Sequence, residues 1–257
     1  MCEQVESINE NKPFFVATLN RSGFHLLASL VNSTKVDVRL HEASLTRIPI
    51  LKLVPDFEVI NVFRMLESDT EKSGTWGLKC HIQQLPMIER YLQLSGFVPQ
   101  DMKWIWLRRR DKVALAESLL RAIETGEWFR YKGVASGDRG ALEMDKELLC
   151  HVALESCLQD DAWELFFDTH DISPHRVIYE EFSDESMWVS TIENVLSFLE
   201  IAYESPLVVN TSLMRMGNRL STEYREMVSR INSHIPSKYN PVWYGDRTEF
   251  EGIDYEN

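Results

Sequence analysis

The run Lys103-Trp104-Ile105-Trp106-Leu107 is apolar after its first residue and passes without a spacer into Arg108-Arg109-Arg110-Asp111. An unbroken apolar run of this length suits a strand buried on both faces, as in a parallel sheet covered by helices. Asp111 stands where a side-chain oxygen caps the next helix. Val113, Ala116, Leu119, Leu120 and Ile123 then recur on one broad helical face, and Gly126 supplies its stop. Strand, charged turn and helix together make one βα unit.

The chain opens in the same way. Phe14–Leu19 reads as a short buried strand, Asn20-Arg21-Ser22-Gly23 as a turn, and Leu26, Leu27, Leu30 and Val31 recur at helical spacing. Trp76–Cys80 reads as another strand, followed by a helix around Leu85–Leu94 with Pro86 in its first turn. A later helix is expected to turn Leu148, Leu149, Val152, Ala153 and Cys157 inward, with Trp163, Phe166 and Phe167 adding bulk. Arg176–Tyr179 reads as a late strand ending at Glu180-Glu181, and Ile192, Val195, Leu196 and Leu199 mark one more helix. This alternation predicts an α/β fold with a central, mainly parallel sheet flanked by helices. Residues 1–12 read as a flexible polar lead and 13–257 as one domain, a length sufficient for a full core. The stretch 131–142 holds three glycines in a polar setting and reads as a mobile loop.

Charge narrows the partners. Lys and Arg number 27 against 40 Asp and Glu, a net charge of -13. Such a surface repels nucleic acid and anionic membrane, so neither is expected as a partner. The four cysteines form no C-x-x-C pair, and the histidines show no ligand spacing, so no metal is expected. The acidic start reads as no secretory leader, and no apolar run approaches the ~20 residues that span a bilayer. The expectation is a soluble, cytoplasmic protein, with a homodimer left open.

On this acidic background two basic elements follow two buried strands. In the first, Arg21 adds a fixed charge and Gly23 lets backbone come close, while the N–H groups of Ser22, Gly23, Phe24, His25 and Leu26 at a helix start suit an anion. It is not a Walker loop, which would need G-x-x-x-x-G-K-[ST]. In the second, Arg110 and Ser118 lie about two helical turns apart and suit a phosphate held from two sides. Glu42 is a candidate general base, with His25 as its alternate, and Lys79 is placed to reach a ligand from a strand end.

With these residues in view, the sequence resembles the bacterial trehalose-type sulfotransferases. That family opens with P-R-S-G-S-T-L-L after its first strand; here the stretch is Asn20-Arg21-Ser22-Gly23-Phe24-His25-Leu26-Leu27. Its G-x-P-x-E-[YF]-F segment corresponds to Val38–Ser44 and leaves Glu42 in the place of its proposed catalytic glutamate. Trp76-Gly77-Leu78-Lys79 matches an [FW]-G-x-K motif, and Trp106–Ser118 is the strongest match, with Arg110 and Ser118 at the spacing used for a nucleotide 3′-phosphate. Trp163 with Phe166-Phe167, and Val177-Ile178-Tyr179-Glu180, resemble later family elements; Leu213–Met216 with Ser221–Tyr224 resembles a final cofactor loop, which brings in Arg215.

The resemblance implies a P-loop-like sulfotransferase fold and transfer of a sulfuryl group from 3′-phosphoadenosine-5′-phosphosulfate, with 3′-phosphoadenosine-5′-phosphate as product. It implies Arg21, Ser22, Gly23, Phe24, His25 and Leu26 at the 5′-phosphosulfate, Arg110, Ser118 and Arg215 at the rest of the nucleotide, and Glu42, Arg21, His25 and Lys79 in catalysis, without metal. The acceptor would be a hydroxyl or amino group of a small molecule, either a carbohydrate or a cationic natural product. Asn20 and the Phe24-His25 pair depart from the family's proline and Ser-Thr hydroxyls. A phosphotransferase using another nucleotide, and a non-catalytic nucleotide-binding or scaffold protein of the same fold, are the competing readings.

Overall fold

The structure is a computed structural model that describes residues 13–42, 59–61, 63–64, 74–133 and 145–214. Strands β1 (Phe14–Thr18), β2 (Val38–His41), β3 (Thr75–Cys80), β4 (Lys103–Arg108) and β6 (His175–Ile178) form one sheet in the order β2-β3-β1-β4-β6. Every neighbouring pair in it runs parallel. The short strands β5 (Arg130–Tyr131) and β7 (Leu213–Met214) pair antiparallel as a separate ribbon. Helices α1 (Phe24–Ser33), α2 (Leu85–Leu94), α3 (Lys112–Thr125), α4 (Lys146–Thr169) and α5 (Trp188–Phe198) surround the sheet, and a single helical turn, Tyr179–Phe182, follows β6.

The strands read as continuous apolar runs because both sheet faces are covered. Phe15 and Ala17 of β1 point with Trp76, Trp104 and Trp106 toward Trp163, Phe166 and Phe167 of α4 and Tyr91 of α2. Phe14 and Val16 point the other way with Ile105 and Leu107, toward Leu27 and Leu30 of α1 and Ile192 and Val195 of α5. Period-two alternation thus feeds two cores at once. Each fully buried aromatic contributes roughly 1.5–3 kcal/mol relative to exposure. In β3 the Phe14 ring lies over Gly77, where a Cβ would overlap it, so only glycine admits this close approach.

The predicted strands and helices stand at their expected places, with the last strand running His175–Ile178 and Tyr179 beginning the helical turn. Asp111 caps α3 by accepting from the Ala114 N–H at 2.9 Å, and Gly126 ends the helix at φ 70°. Two facings differ from expectation. Ile123 is exposed, and Leu115 and Ala122 of α3 are buried instead, because the first turns of α3 are enclosed from several sides and the helix then emerges into solvent. Leu148 is also exposed while Leu149 takes the inward position on α4. A leucine-rich helix surface leaves its own rotation ambiguous until a neighbour packs on it.

Candidate active site

The turn between β1 and α1 is held in an uncommon conformation. Arg21 has φ 64° and Gly23 φ 94°, both left-handed. A Cβ at Gly23 would overlap the Tyr179 ring, so glycine is demanded by both backbone and space. Gly23 is the N-cap of α1 and offers no side-chain oxygen, so the first-turn N–H groups have no side-chain cap. Ser22 is fully buried, and its Oγ has no hydrogen-bond partner among the described residues. An orphaned hydroxyl, uncapped helix N–H groups and a left-handed arginine fit an anion better than they fit a closed structural turn.

Two arginines meet at this turn. Arg21 donates from Nε to Ser118 Oγ at 2.9 Å and from Nη1 to the Trp128 carbonyl. Arg109 donates from Nη1 to the Arg21 carbonyl at 3.3 Å and stacks its guanidinium 4.9 Å from the Tyr179 ring. Burial, and then the neighbouring Arg109 charge, lower the Arg21 pKa. A bound anion would relieve that repulsion.

Arg110 and Ser118, expected to hold a phosphate from two sides, each have a protein partner. Ser118 meets Arg21, while the Arg110 guanidinium pairs with Glu181 at the surface. The backbone N–H groups of Arg110 and Asp111 donate to Glu180 Oε2 and Oε1 at 3.1 and 3.2 Å. Arg109 was not singled out by the sequence; its only signal was its place inside the triple arginine. Arg215 lies outside the described residues, as do positions 134–142 of the glycine-containing loop.

Glu42, just past β2, is gripped from two sides. Its Oε2 lies 2.7 Å from His25 Nε2 of α1, and its Oε1 accepts from Lys79 Nζ of β3 at 2.6 Å. The hydrogen bond from His25, joined by the charge and hydrogen bond of Lys79, outweighs burial and pushes the Glu42 pKa down to about 2. Lys79 is buried with its ammonium 5.0 Å from the Phe24 ring. Phe24 itself belongs to the core, so only its backbone N–H is left for an anion. Behind this group, His81 Nδ1 lies 3.0 Å from the Thr18 carbonyl, and burial followed by the Lys79 charge lowers its pKa to about 4.

A cleft of about 210 Å³, open to solvent, is lined by Phe24, His25, Ala28, Ser29, Leu40, Glu42, Tyr131 and Leu213. Phe129 stands at its edge, 5.4 Å from the His25 ring and 5.4 Å from the Tyr131 ring. Among the described residues no three His, Cys, Asp or Glu side chains gather as a metal site requires. No described helix is long and apolar enough to cross a membrane.

A covered parallel sheet with a left-handed turn at the end of its central strand and a charged group in the adjoining cleft define an α/β fold with a candidate site. The sequence matches the Stf0 sulphotransferase family over residues 49–230, and the chain belongs to that family. The matched region contains Lys79, Arg110 and Ser118 and begins after Arg21 and Glu42. Among solved structures the chain is similar to the sulfotransferase from Alicyclobacillus acidocaldarius, with a TM-score of 0.53 and 15% identity over 90% of this chain and 99% of that one. At that identity the likeness speaks for the α/β fold. No curated protein matches the chain in sequence.

Proposed function

We propose that this sulfotransferase takes its sulfuryl group from 3′-phosphoadenosine-5′-phosphosulfate and delivers it to a hydroxyl or amino group of a small molecule seated in the cleft beside Glu42. The observation that carries the donor assignment is the meeting of Arg21, Arg109 and Ser118 at an uncapped helix start, next to the orphaned Ser22 hydroxyl.

When bound, the donor supplies a sulfuryl group on a phosphate leaving group. Arg21 and the backbone N–H groups from Ser22 to Leu26 would hold the 5′-phosphate and sulfonate and offset charge developing there. Fixed donors of this kind are worth about 10²–10³ in rate each. Ser118 and Arg110 would serve the 3′-phosphate, with Arg215 as a further cation toward the nucleotide. The cleft orients the acceptor, and the His25–Glu42 pair beside it removes the acceptor's proton. Lys79 keeps Glu42 ionised and in place. A carbohydrate and a cationic metabolite both suit a cleft with Tyr131 and Phe24 in its wall and Glu42 at its side, on a chain of net charge -13. On this reading the protein works in the cytoplasm.

Calorimetric titration with 3′-phosphoadenosine-5′-phosphate tests the donor half. The wild type should bind, and R110A should bind about tenfold or more weakly. A wild type that does not bind would overturn the donor assignment. A screen of sugars and cationic metabolites with labelled donor then identifies the acceptor.

A further inference from the structure

Glu42 and His25 share one short contact, and their chemistry divides the labour between them. An ionised carboxylate can only accept, so the 2.7 Å contact requires a hydrogen on His25 Nε2. A neutral imidazole has one N–H and one lone-pair nitrogen, and here the lone pair is left on Nδ1. Both Glu42 oxygens are meanwhile engaged, Oε2 by His25 and Oε1 by Lys79. Both contacts are made to the ionised carboxylate, so a proton on Glu42 would weaken each of them.

We infer that Nδ1 of His25 is the atom that receives the acceptor's proton and that Glu42 is a positioning residue for it, an inference that rests on the sulfuryl-transfer reading above. The His25 ring lines the cleft and is flanked by Phe129 at 5.4 Å, which limits its rotation. Lys79 is buried and fixed, so the carboxylate that orients the ring is itself oriented. A carboxylate held near pKa 2 is a poor base for a hydroxyl or amine, but it stabilises an imidazolium formed beside it. The ring meets Glu42 after β2 and the Phe24 and Phe129 rings; Lys79 on β3 stands on the other oxygen of Glu42, and Tyr131 on β5 lines the same cleft.

In the step, the acceptor oxygen or nitrogen forms its bond to sulfur. The bond from sulfur to the 5′-phosphate oxygen breaks, its electron pair leaving with the phosphate. The acceptor's proton passes to His25 Nδ1 and afterwards to solvent, so charge and atoms balance without any further reactant.

The test uses the full chain and two readouts. In ¹⁵N-histidine NMR of the free protein, with the His25 signal identified by its loss in H25Q, the ring should be the Nε2–H tautomer, and E42Q should weaken that preference. An Nδ1–H tautomer in the wild type would overturn the proposal. The second readout is sulfate released from 3′-phosphoadenosine-5′-phosphosulfate with water as acceptor, beside calorimetric binding of 3′-phosphoadenosine-5′-phosphate. H25Q keeps a donor toward Glu42 but has no basic nitrogen, so its rate should fall by about 100-fold or more with product affinity within about threefold. E42Q should lose less rate than H25Q, because the basic nitrogen remains while its orientation loosens. An H25Q rate near wild type, or an E42Q loss exceeding that of H25Q, would return the base to Glu42. A wild type that neither binds the product nor consumes the donor would instead sink the donor reading itself, and with it this inference.

Discussion

Arg21 and Ser118 are separated by 97 positions in the chain and meet at 2.9 Å, guanidinium Nε to hydroxyl Oγ. The contact joins the turn after β1 to the middle of α3, so two basic elements that look independent in sequence form one site. A side chain that orients a cation also orients whatever the cation binds.

Removing that hydroxyl isolates its role. S118A should weaken binding of 3′-phosphoadenosine-5′-phosphate about tenfold, the range for losing one hydrogen bond to a charged group. Folding stability should change little, because Ser118 is only half-buried. Calorimetry and a urea melt on the same variant separate the two effects; unchanged affinity would remove Ser118 from the site.

Arg110 is held by Glu181 at the surface, so the carboxylate competes with any phosphate for it. E181Q should therefore tighten product binding by about threefold at low salt and less at high salt, as exposed ion pairs are weak and screened. Looser binding in E181Q would contradict the competition.

Gly23 carries a double demand, a φ of 94° and the Tyr179 ring where a Cβ would go. G23A should destabilise the protein by about 2 kcal/mol or more and weaken product binding in the same variant. Pairing it with Y179A should recover only the steric part, since the backbone demand remains. Denaturant midpoints of the three variants give the comparison.

His81 has a folded pKa near 4 against an ordinary 6.5. Between those values the unfolded chain binds the extra proton, so folded stability falls as pH drops from 6.5 to 4 and is unaffected above that window. The full effect is about 3 kcal/mol at the low end. H81Q should flatten this part of the stability–pH curve, and a slope equal to wild type would assign it elsewhere.

Asp160 is buried on α4 and accepts from Lys112 Nζ at 2.6 Å and from Arg108 Nη2 at 3.0 Å. Burial lowers the Lys112 pKa while Asp160 opposes the shift. D160A strands the Lys112 ammonium and should cost about 3–5 kcal/mol, whereas the double variant K112M/D160L should cost much less. Thermal melts of single and double variants decide it.

The local parts of the fold were legible because their signals are local. Trp104 to Leu107 suits a strand covered on both faces, Asp111 suits a cap and Gly126 a helix stop, and each takes that place in the structure. The candidate residues Arg21, His25, Glu42 and Lys79 were also visible, the first three of them outside the region matched by the family. Their partners were not. Nothing in the triple arginine distinguished Arg109, which touches Arg21, from Arg110, which faces Glu181. The outward turn of Ile123 and Leu148 was hidden for the same reason, since a helix has several apolar sides until its neighbours choose one.

The sequence by itself determined strands β1, β3, β4 and β6 and the helices that follow them, the α/β class and the residue types available for anion and proton chemistry, because propensity, capping and apolar period act over a few positions; the short edge strand β2 and the β5–β7 ribbon carry too little of that signal. Only the tertiary structure decided that Glu42 lies between His25 and Lys79, which stands 37 positions away, and that Ser118 serves Arg21. Those contacts form where parallel strands bring their ends to one edge of the sheet, and that meeting is set by packing on both faces rather than by any neighbour in the chain.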